Sequence, residues 1–455
     1  MIRTLAYLPA GPAAPAFHRF RSPAGEHVLI VRHSRIFDLP PEAAAVFDSP
    51  SPQAEGLAEA LGRSTEGEAP LEAVAMPEPQ SLSLNVSASC NLSCSYCYAG
   101  RGGFGGLQPE PMSWAVARAA IDRLLAVADP SAPITVGFLG GEPFVNRSLI
   151  HQAVQYAADA ARSRGLDVRF SVTTNGTLLR AQDVDLLRSH PFAVTVSIDG
   201  GADLQNAQRP AASGGDSFAL LRARTRALLE APGQARLSAR ATVTRHRLDL
   251  TDRFDSIRAL GFPEVGFSPL RTGGDAEGPL RGSDWPEYLD ALTGLARREL
   301  RRALDGGPIR LTNLAVALKQ LHRGASAPYP CGAGAGYFSV SSSGTWYACH
   351  RAIGSPTYEL GDSRGLDEAR RARFLTDRHV HAQAACGTCW ARYLCSGGCH
   401  QEATARTDSS CGFIRGWLDF CLAAYCELAD RHPDYWEAED RGAGSAAIHT
   451  REVSP

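Results

Sequence analysis

A chain of 455 residues with 44% hydrophobic and 21% charged side chains can bury a sizeable core and has room for two or three domains. Its net charge of −2 gives no basic surface for nucleic acid, and no run of about 18 apolar residues offers a membrane span. Twelve clustered cysteines, with an N-terminus interrupted by Pro9, Pro12 and Pro15, argue against a secreted disulfide scaffold and for a reducing cytoplasm. Lys319 is the single lysine, which argues against Schiff-base chemistry.

Residues 1–78 read as a small α+β module. His27–Val31 and Arg35–Leu39 are strand-like, Glu42–Phe47 and Ala54–Leu61 helical, and Pro70, Pro77 and Pro79 punctuate the exit. From 79 to 283 strand and helix patterns alternate. The strands are Leu82–Val86, Ile134–Leu139, Val168–Thr173, Ala193–Ile198, Arg236–Thr242 and Val265–Pro269. The intervening helices are Ala115–Val127, Leu149–Ser163, Ala181–Leu187, Phe218–Leu229 and Leu250–Leu260, with Ser113 and Asn146 as N-caps of the first two. Six βα units predict an α/β fold, a partial (βα)6 TIM-like barrel, with its chemistry at the C-terminal ends of the strands. A helical bridge (284–330, with Tyr288–Leu304 and Leu314–Leu321), a cysteine-rich domain (331–430) and a tail (431–455) follow.

Directly after the first barrel strand, Cys90, Cys94 and Cys97 have the spacing C-x3-C-x2-C. Three thiolates on a cubane cluster leave one iron open to a small molecule, whereas a structural zinc would need a fourth ligand from elsewhere. Spacing alone leaves both open. The pattern, with Tyr96 before the third cysteine, resembles the signature of the radical SAM superfamily. That resemblance implies a 4Fe–4S cluster that chelates S-adenosylmethionine and cleaves it to a 5′-deoxyadenosyl radical, with an electron donor such as flavodoxin or ferredoxin.

The resemblance also gives roles to other motifs. Tyr96 would lie beside the adenine. Gly140-Gly141-Glu142-Pro143, after the second strand, would grip the methionine amino group. Ser197 and Arg209 match positions that contact the ribose and the cofactor carboxylate. Thr174-Asn175-Gly176 reads as a turn that shapes the site. The glycine runs Gly102–Gly106 and Gly332–Gly336 do not open helices after strands, so neither is a dinucleotide fingerprint.

Beyond residue 330 come Cys331, Gly344-x4-Cys349, Cys386-x2-Cys389-x5-Cys395-x3-Cys399 and Cys411. The C-x2-C pairs alone also suit zinc. The whole order is similar to the SPASM domain, which implies two auxiliary 4Fe–4S clusters and thus three in all. By that resemblance Cys331, Cys349 and Cys399 hold the first, lacking a fourth cysteine, and Cys386, Cys389, Cys395 and Cys411 hold the second. Cys421 and Cys426 fall in an apolar helical run, Trp417–Leu428, and read as buried thiols.

His350 stands directly after Cys349, where sulfatase-maturing relatives carry an aspartate base. Cys349-His350-Arg351 instead resembles enzymes that crosslink a ribosomal precursor peptide through thioether or carbon–carbon bonds, with His350 as the candidate base. In such enzymes a module like residues 1–78 holds a leader peptide; a plain packing extension is the alternative. Oxidation of Cys or Ser without a crosslink, and a zinc-stabilised protein with no catalysis, are the competing readings.

Overall fold

The computed structural model describes residues 3–11, 14–62, 70–104, 110–273, 278–324 and 326–436. Gly105, Gly106 and most of the expected tail, 437–455, lie outside them.

At the N-terminus β1 (Arg3–Tyr7) is followed by β2 (Phe17–Ser22), β3 (Gly25–Ile30), β4 (Arg35–Asp38), α1 (Pro41–Ala44), α2 (Pro52–Leu61) and β5 (Ala73–Met76). β2, β3 and β4 form an antiparallel meander, while β1 pairs with β5. The sequence reading finds β3, β4 and the helices; β1, β2 and β5 carry too little apolar alternation to be read. Ser51 caps α2 by accepting from the Ala54 N–H at 3.1 Å. Alternation along β3 serves two cores. Val28 and Ile30 pack with Phe47, Ala54 and Ala58 in the module's own cluster, and Leu29 with Phe20 joins the main core. The module is docked on the C-terminal region. His18 stacks on Trp390 at 3.8 Å between ring centroids and bonds Asp419 at 2.6 Å, and Arg392 donates to the Pro15 carbonyl at 2.9 Å.

The barrel strands are β6 (Ser81–Ser87), β7 (Ile134–Gly140), β8 (Val168–Thr174), β9 (Phe192–Ser197), β10 (Arg236–Val243) and β11 (Val265–Pro269). They run parallel in sequential order, with α3 (Trp114–Val127), α4 (Arg147–Arg162), α5 (Ala181–Ser189), α6 (Ala202–Gln208), α7 (Ser217–Glu230) and α8 (Leu250–Ala259) in the crossovers. This is the expected partial barrel. Period-two alternation sets its faces: in β9 Phe192, Val194 and Val196 are buried, and Ala193, Thr195 and Ser197 are half-exposed. Phe170 and Phe192 stack at 5.2 Å on the helix-covered face, each contributing roughly 2–3 kcal/mol by burial. The opposite face is polar and open: Thr173 is exposed although β8 is paired on both edges.

One expectation is corrected, and α6 lies where no element was expected. Asn146 does not cap α4 with its side chain; its amide instead donates to the carbonyls of Val86 and Met112 at 3.0 and 3.1 Å, tying the end of β6 to the start of α3.

The bridge is α9 (Asp284–Leu304) and α10 (Thr312–His322). Beyond it β12 (Tyr337–Val340), β13 (Trp346–Tyr347), β14 (Glu359–Asp362) and β15 (Gly365–Leu366) extend the barrel sheet to ten strands, because β12 pairs in parallel with β6. The cysteine-rich region is therefore joined through backbone hydrogen bonds to the strand that feeds Cys90. α11 (Glu368–Arg378), α12 (Ala384–Gly387), α13 (Arg392–Cys395) and α14 (Asp408–Arg431) complete it. α14 packs on α9, with Phe413 5.0 Å from Tyr288 and 5.5 Å from Trp285, and buries Cys421 and Cys426 as expected. The start of the expected tail is core: Trp436 is buried and stacks on His322 at 5.0 Å.

Candidate active site

The cysteine loop leaves β6 at the C-terminal end of the barrel and is held by the turns after two neighbouring strands and by the loop beyond α6. From the turn after β7, the Glu142 N–H donates to the Ser89 carbonyl at 2.9 Å. A Cβ on Gly141 would lie 2.3 Å from that carbonyl oxygen, so only glycine lets the turn come this close. From the turn after β8, Asn175 donates to Asn91 at 3.0 Å and reaches the Cys90 sulfur at 3.8 Å, while Asn91 donates to Thr177 at 2.8 Å. From the loop beyond α6, the Pro210 carbonyl accepts from Ser93 and the Ala212 N–H donates to Asn91, at 2.8 and 2.9 Å.

Glu142 is fully buried. It accepts from the Thr174 hydroxyl (2.7 Å), the Asn175 N–H (2.8 Å) and the Phe144 N–H (3.2 Å). Burial pushes its carboxyl up to about 7 against these donors, so a cation arriving here meets a group that gains by ionising.

Asp199, two residues beyond Ser197, is the hub of the other wall. It is fully buried and accepts from Arg209 Nε and Nη2 at 3.1 and 3.3 Å, from the Thr242 N–H at 2.8 Å, and from the Tyr96 hydroxyl. Arg253, 2% exposed, donates to the Asp199 carbonyl at 2.6 Å and to the Thr242 carbonyl at 2.7 Å, clamping the ends of β9 and β10 together. Arg209 also lies over the Tyr96 ring at 5.2 Å. Burial alone would lower the Arg209 pKa; the Asp199 carboxylate outweighs it and raises it. The structure thus brings Tyr96 and Arg209 together, and leaves Ser197 half-exposed on the open face.

All twelve cysteines are thiols, not disulfides. Burial raises Cys90 to about 12, with Glu142, Cys94 and Cys97 adding to the effect. In the C-terminal region Cys349 is raised to about 12 by burial, then by Cys331 and Cys399. Cys395 is raised to about 11 by burial, then by Cys386, Cys389 and Cys411. Among the described residues no three Cys, His, Asp or Glu side chains close up around the position of a single metal ion. The donor sets nonetheless fit clusters in kind: grouped thiols, protonated without metal, which cationic iron would deprotonate.

His350 lies where the two regions meet. Its ring centroid is 6.4 Å from that of Tyr98, directly after Cys97, and Arg351 lies over Tyr98 at 5.3 Å. Tyr337 shares hydrogen bonds with His350 Nδ1 (2.8 Å) and the Ser83 hydroxyl (2.6 Å). Burial, then Arg351, lowers His350 to about 4, so at neutral pH its ring is uncharged.

Residues 84–270 match the family model of the radical SAM superfamily. That stretch is a radical SAM domain, and the protein is an enzyme. It is 26% identical over 353 residues to the serine-type anaerobic sulfatase-maturating enzyme of Klebsiella aerogenes, a match covering 72% of this chain and 82% of that protein. In structure it is similar to native anSMEcpe with bound AdoMet, at 19% identity and a TM-score of 0.65, over 77% of this chain and 100% of that one. The same protein with bound AdoMet and the Cp18Cys peptide matches at 19% identity and a TM-score of 0.64, over 77% and 99% of the two chains.

Two residues of this radical SAM site escape sequence reading. Asn175 looks like a turn former, yet it touches both the Cys90 loop and Glu142. Asp199 looks like the start of a polar loop, yet it holds Tyr96 and Arg209. The available signal was position: Asn175 directly follows β8 and Asp199 lies two residues beyond β9, at the strand ends where such folds place their chemistry. No helix among the described residues is long and apolar enough to cross a membrane.

Proposed function

We propose that this radical SAM enzyme modifies a ribosomally made peptide or protein, removing a hydrogen atom from one residue and closing that residue onto a neighbouring side chain. S-adenosylmethionine and the reduced 4Fe–4S cluster, when bound, supply the 5′-deoxyadenosyl radical for the abstraction. Cys90, Cys94 and Cys97 would hold that cluster. Glu142 would receive the cofactor's ammonium, and Tyr96 would flank the adenine above the Asp199–Arg209 pair. Gly140, Gly141 and Pro143 would shape the turn that brings Glu142 in, and Ser197 would meet the ribose. Cys331, Cys349 and Cys399, and separately Cys386, Cys389, Cys395 and Cys411, would hold two auxiliary clusters. A leader peptide would dock on the module 1–78, which remains attached to the C-terminal region.

The observation that carries the peptide reading is the extent of the likeness. It covers most of this chain and most of a maturase whose named substrate class is a protein, and the fold matches a relative solved with a peptide. A closing bond removes two hydrogens from the peptide, one as an atom taken up by the 5′-deoxyadenosyl radical and one as a proton with an electron, which an auxiliary cluster would accept. His350, neutral and between the two cysteine regions, would accept that proton. A second reading, oxidation of a Cys or Ser to an aldehyde without a crosslink, is favoured by the sulfatase-maturating relative itself.

Anaerobic incubation with candidate precursor peptides rich in Cys or aromatic residues, followed by mass spectrometry, tests the proposal. Crosslinking predicts loss of two hydrogens, no reaction with a hydrazide, and fragment ions absent between the joined residues. An aldehyde that traps hydrazide would establish the second reading instead. His350→Ala should keep 5′-deoxyadenosine formation and lower the ratio of modified peptide to 5′-deoxyadenosine several-fold; an unchanged ratio would remove His350 from the reaction.

A further inference from the structure

The two C-terminal cysteine sets are linked by a continuous run of polar contacts that the proposed chemistry does not use. Arg406 Nη1 donates to the Cys386 sulfur at 3.4 Å, and its Nη2 donates to Gln383 Oε1 at 2.9 Å. Gln383 Nε2 donates to the Arg378 carbonyl at 3.0 Å, and Arg378 Nε donates to His400 Nδ1 at 2.9 Å. His400 directly follows Cys399 of the other set, and its carbonyl accepts from Tyr358 at 2.7 Å. Gly397 allows the run to close: its φ is +82°, and a Cβ there would lie 2.4 Å from Gln383 Nε2.

Two groups in this run are buried donors with no partner among the described residues. Arg378 Nη2 is one. His400 Nε2 is the other: His400 is 2% exposed, and because its Nδ1 accepts from a guanidinium, a neutral ring must carry its proton on Nε2. A buried N–H without an acceptor costs about 1–3 kcal/mol, so such groups mark a partner that is not protein. Beside Tyr358 and Arg406, the charged neighbours of the Arg378 guanidinium include Cys386 and Cys399, one from each cysteine set.

Resting on the reading that these sets hold auxiliary clusters, we propose that Arg378, steered by His400, is a positioning and charge-tuning residue shared by both, with its free Nη2 and the His400 Nε2–H donating to cluster sulfur. A cation and hydrogen-bond donors stabilise the more negative, reduced form of a cluster and so raise its reduction potential. One guanidinium between two centres ties their potentials together.

The test uses the full chain carrying C90A, C94A and C97A, reconstituted anaerobically so that only the auxiliary centres report. Iron is counted, both potentials are measured by redox titration followed by electron paramagnetic resonance, and pulsed methods detect exchangeable protons near the clusters. Arg378→Met should retain the parent's iron and shift both potentials to lower values, and Arg378→Lys should recover most of the shift. His400→Leu, which removes the acceptor without altering charge, should shift them less in the same direction and lose an exchangeable-proton coupling. Unchanged potentials in Arg378→Met with full iron would overturn the proposal; if that variant loses iron, unchanged potentials and couplings in His400→Leu would do so. A parent without auxiliary iron would overturn the cluster assignment as well, and the iron count tells the two failures apart.

Discussion

The barrel cysteines lie within eight residues of chain, from Cys90 to Cys97, whereas the seven of the C-terminal region run from Cys331 to Cys411. A short loop has little internal means of holding its shape, and this one borrows rigidity from the ends of β7 and β8 and from the loop beyond α6, through Glu142, Asn175 and Pro210. Of the C-terminal cysteines, Cys386, Cys395 and Cys411 sit on α12, α13 and the first turn of α14 and the other four between elements, and the region is gathered by side chains such as Arg406 and by the N-terminal sheet docked at Trp390. The first site is therefore organised by the barrel, and the second by tertiary contacts among otherwise irregular segments. Damage to one should spare the other.

The sharpest way to break that separation is at Asp199. Asp199→Ala leaves Arg209 buried without its carboxylate, which costs roughly 3–5 kcal/mol for a broken buried pair. Unfolding measurements should show that loss, and the reconstituted variant should lack the barrel cluster while keeping C-terminal iron. Equal loss from both regions would mean that they fold as one unit.

A smaller effect separates the regions by pH. The Glu142 carboxyl is raised from 4.5 to about 7, so its contribution to stability is complete below 4.5, falls as pH rises through 7, and is gone above it. A bound ammonium reverses the preference, because it needs the carboxylate. S-adenosylmethionine should bind more tightly as pH rises from 6 to 8, by at most about tenfold per unit below the pKa, and Glu142→Gln should flatten the dependence. Calorimetric titration across that range checks it; a pH-independent affinity in the wild type would remove Glu142 from cofactor binding.

The two regions also differ in how far they can be read from sequence. The barrel strands are apolar on alternate residues, as in Phe192, Val194 and Val196, so their positions follow from pattern within one or two residues. The parallel pairing of β12 with β6 does not, because four residues from Tyr337 to Val340 carry too short a pattern and their partner lies some 250 residues away. Cysteine spacing made the thiols legible in both regions. Asn175, Asp199, Arg378 and His400 were not, since each gains its meaning from partners on other elements, as when Asp199 meets Tyr96 and Arg209 only once the strand ends converge.

The central claim is that the loop after β6 performs radical chemistry independently of the C-terminal thiols. Replacing Cys90, Cys94 and Cys97 together by Ala, then measuring 5′-deoxyadenosine from S-adenosylmethionine with dithionite beside iron content, tests it most directly. The account predicts no 5′-deoxyadenosine, with about eight irons retained from two four-iron clusters. Continued formation of 5′-deoxyadenosine by that variant would contradict it.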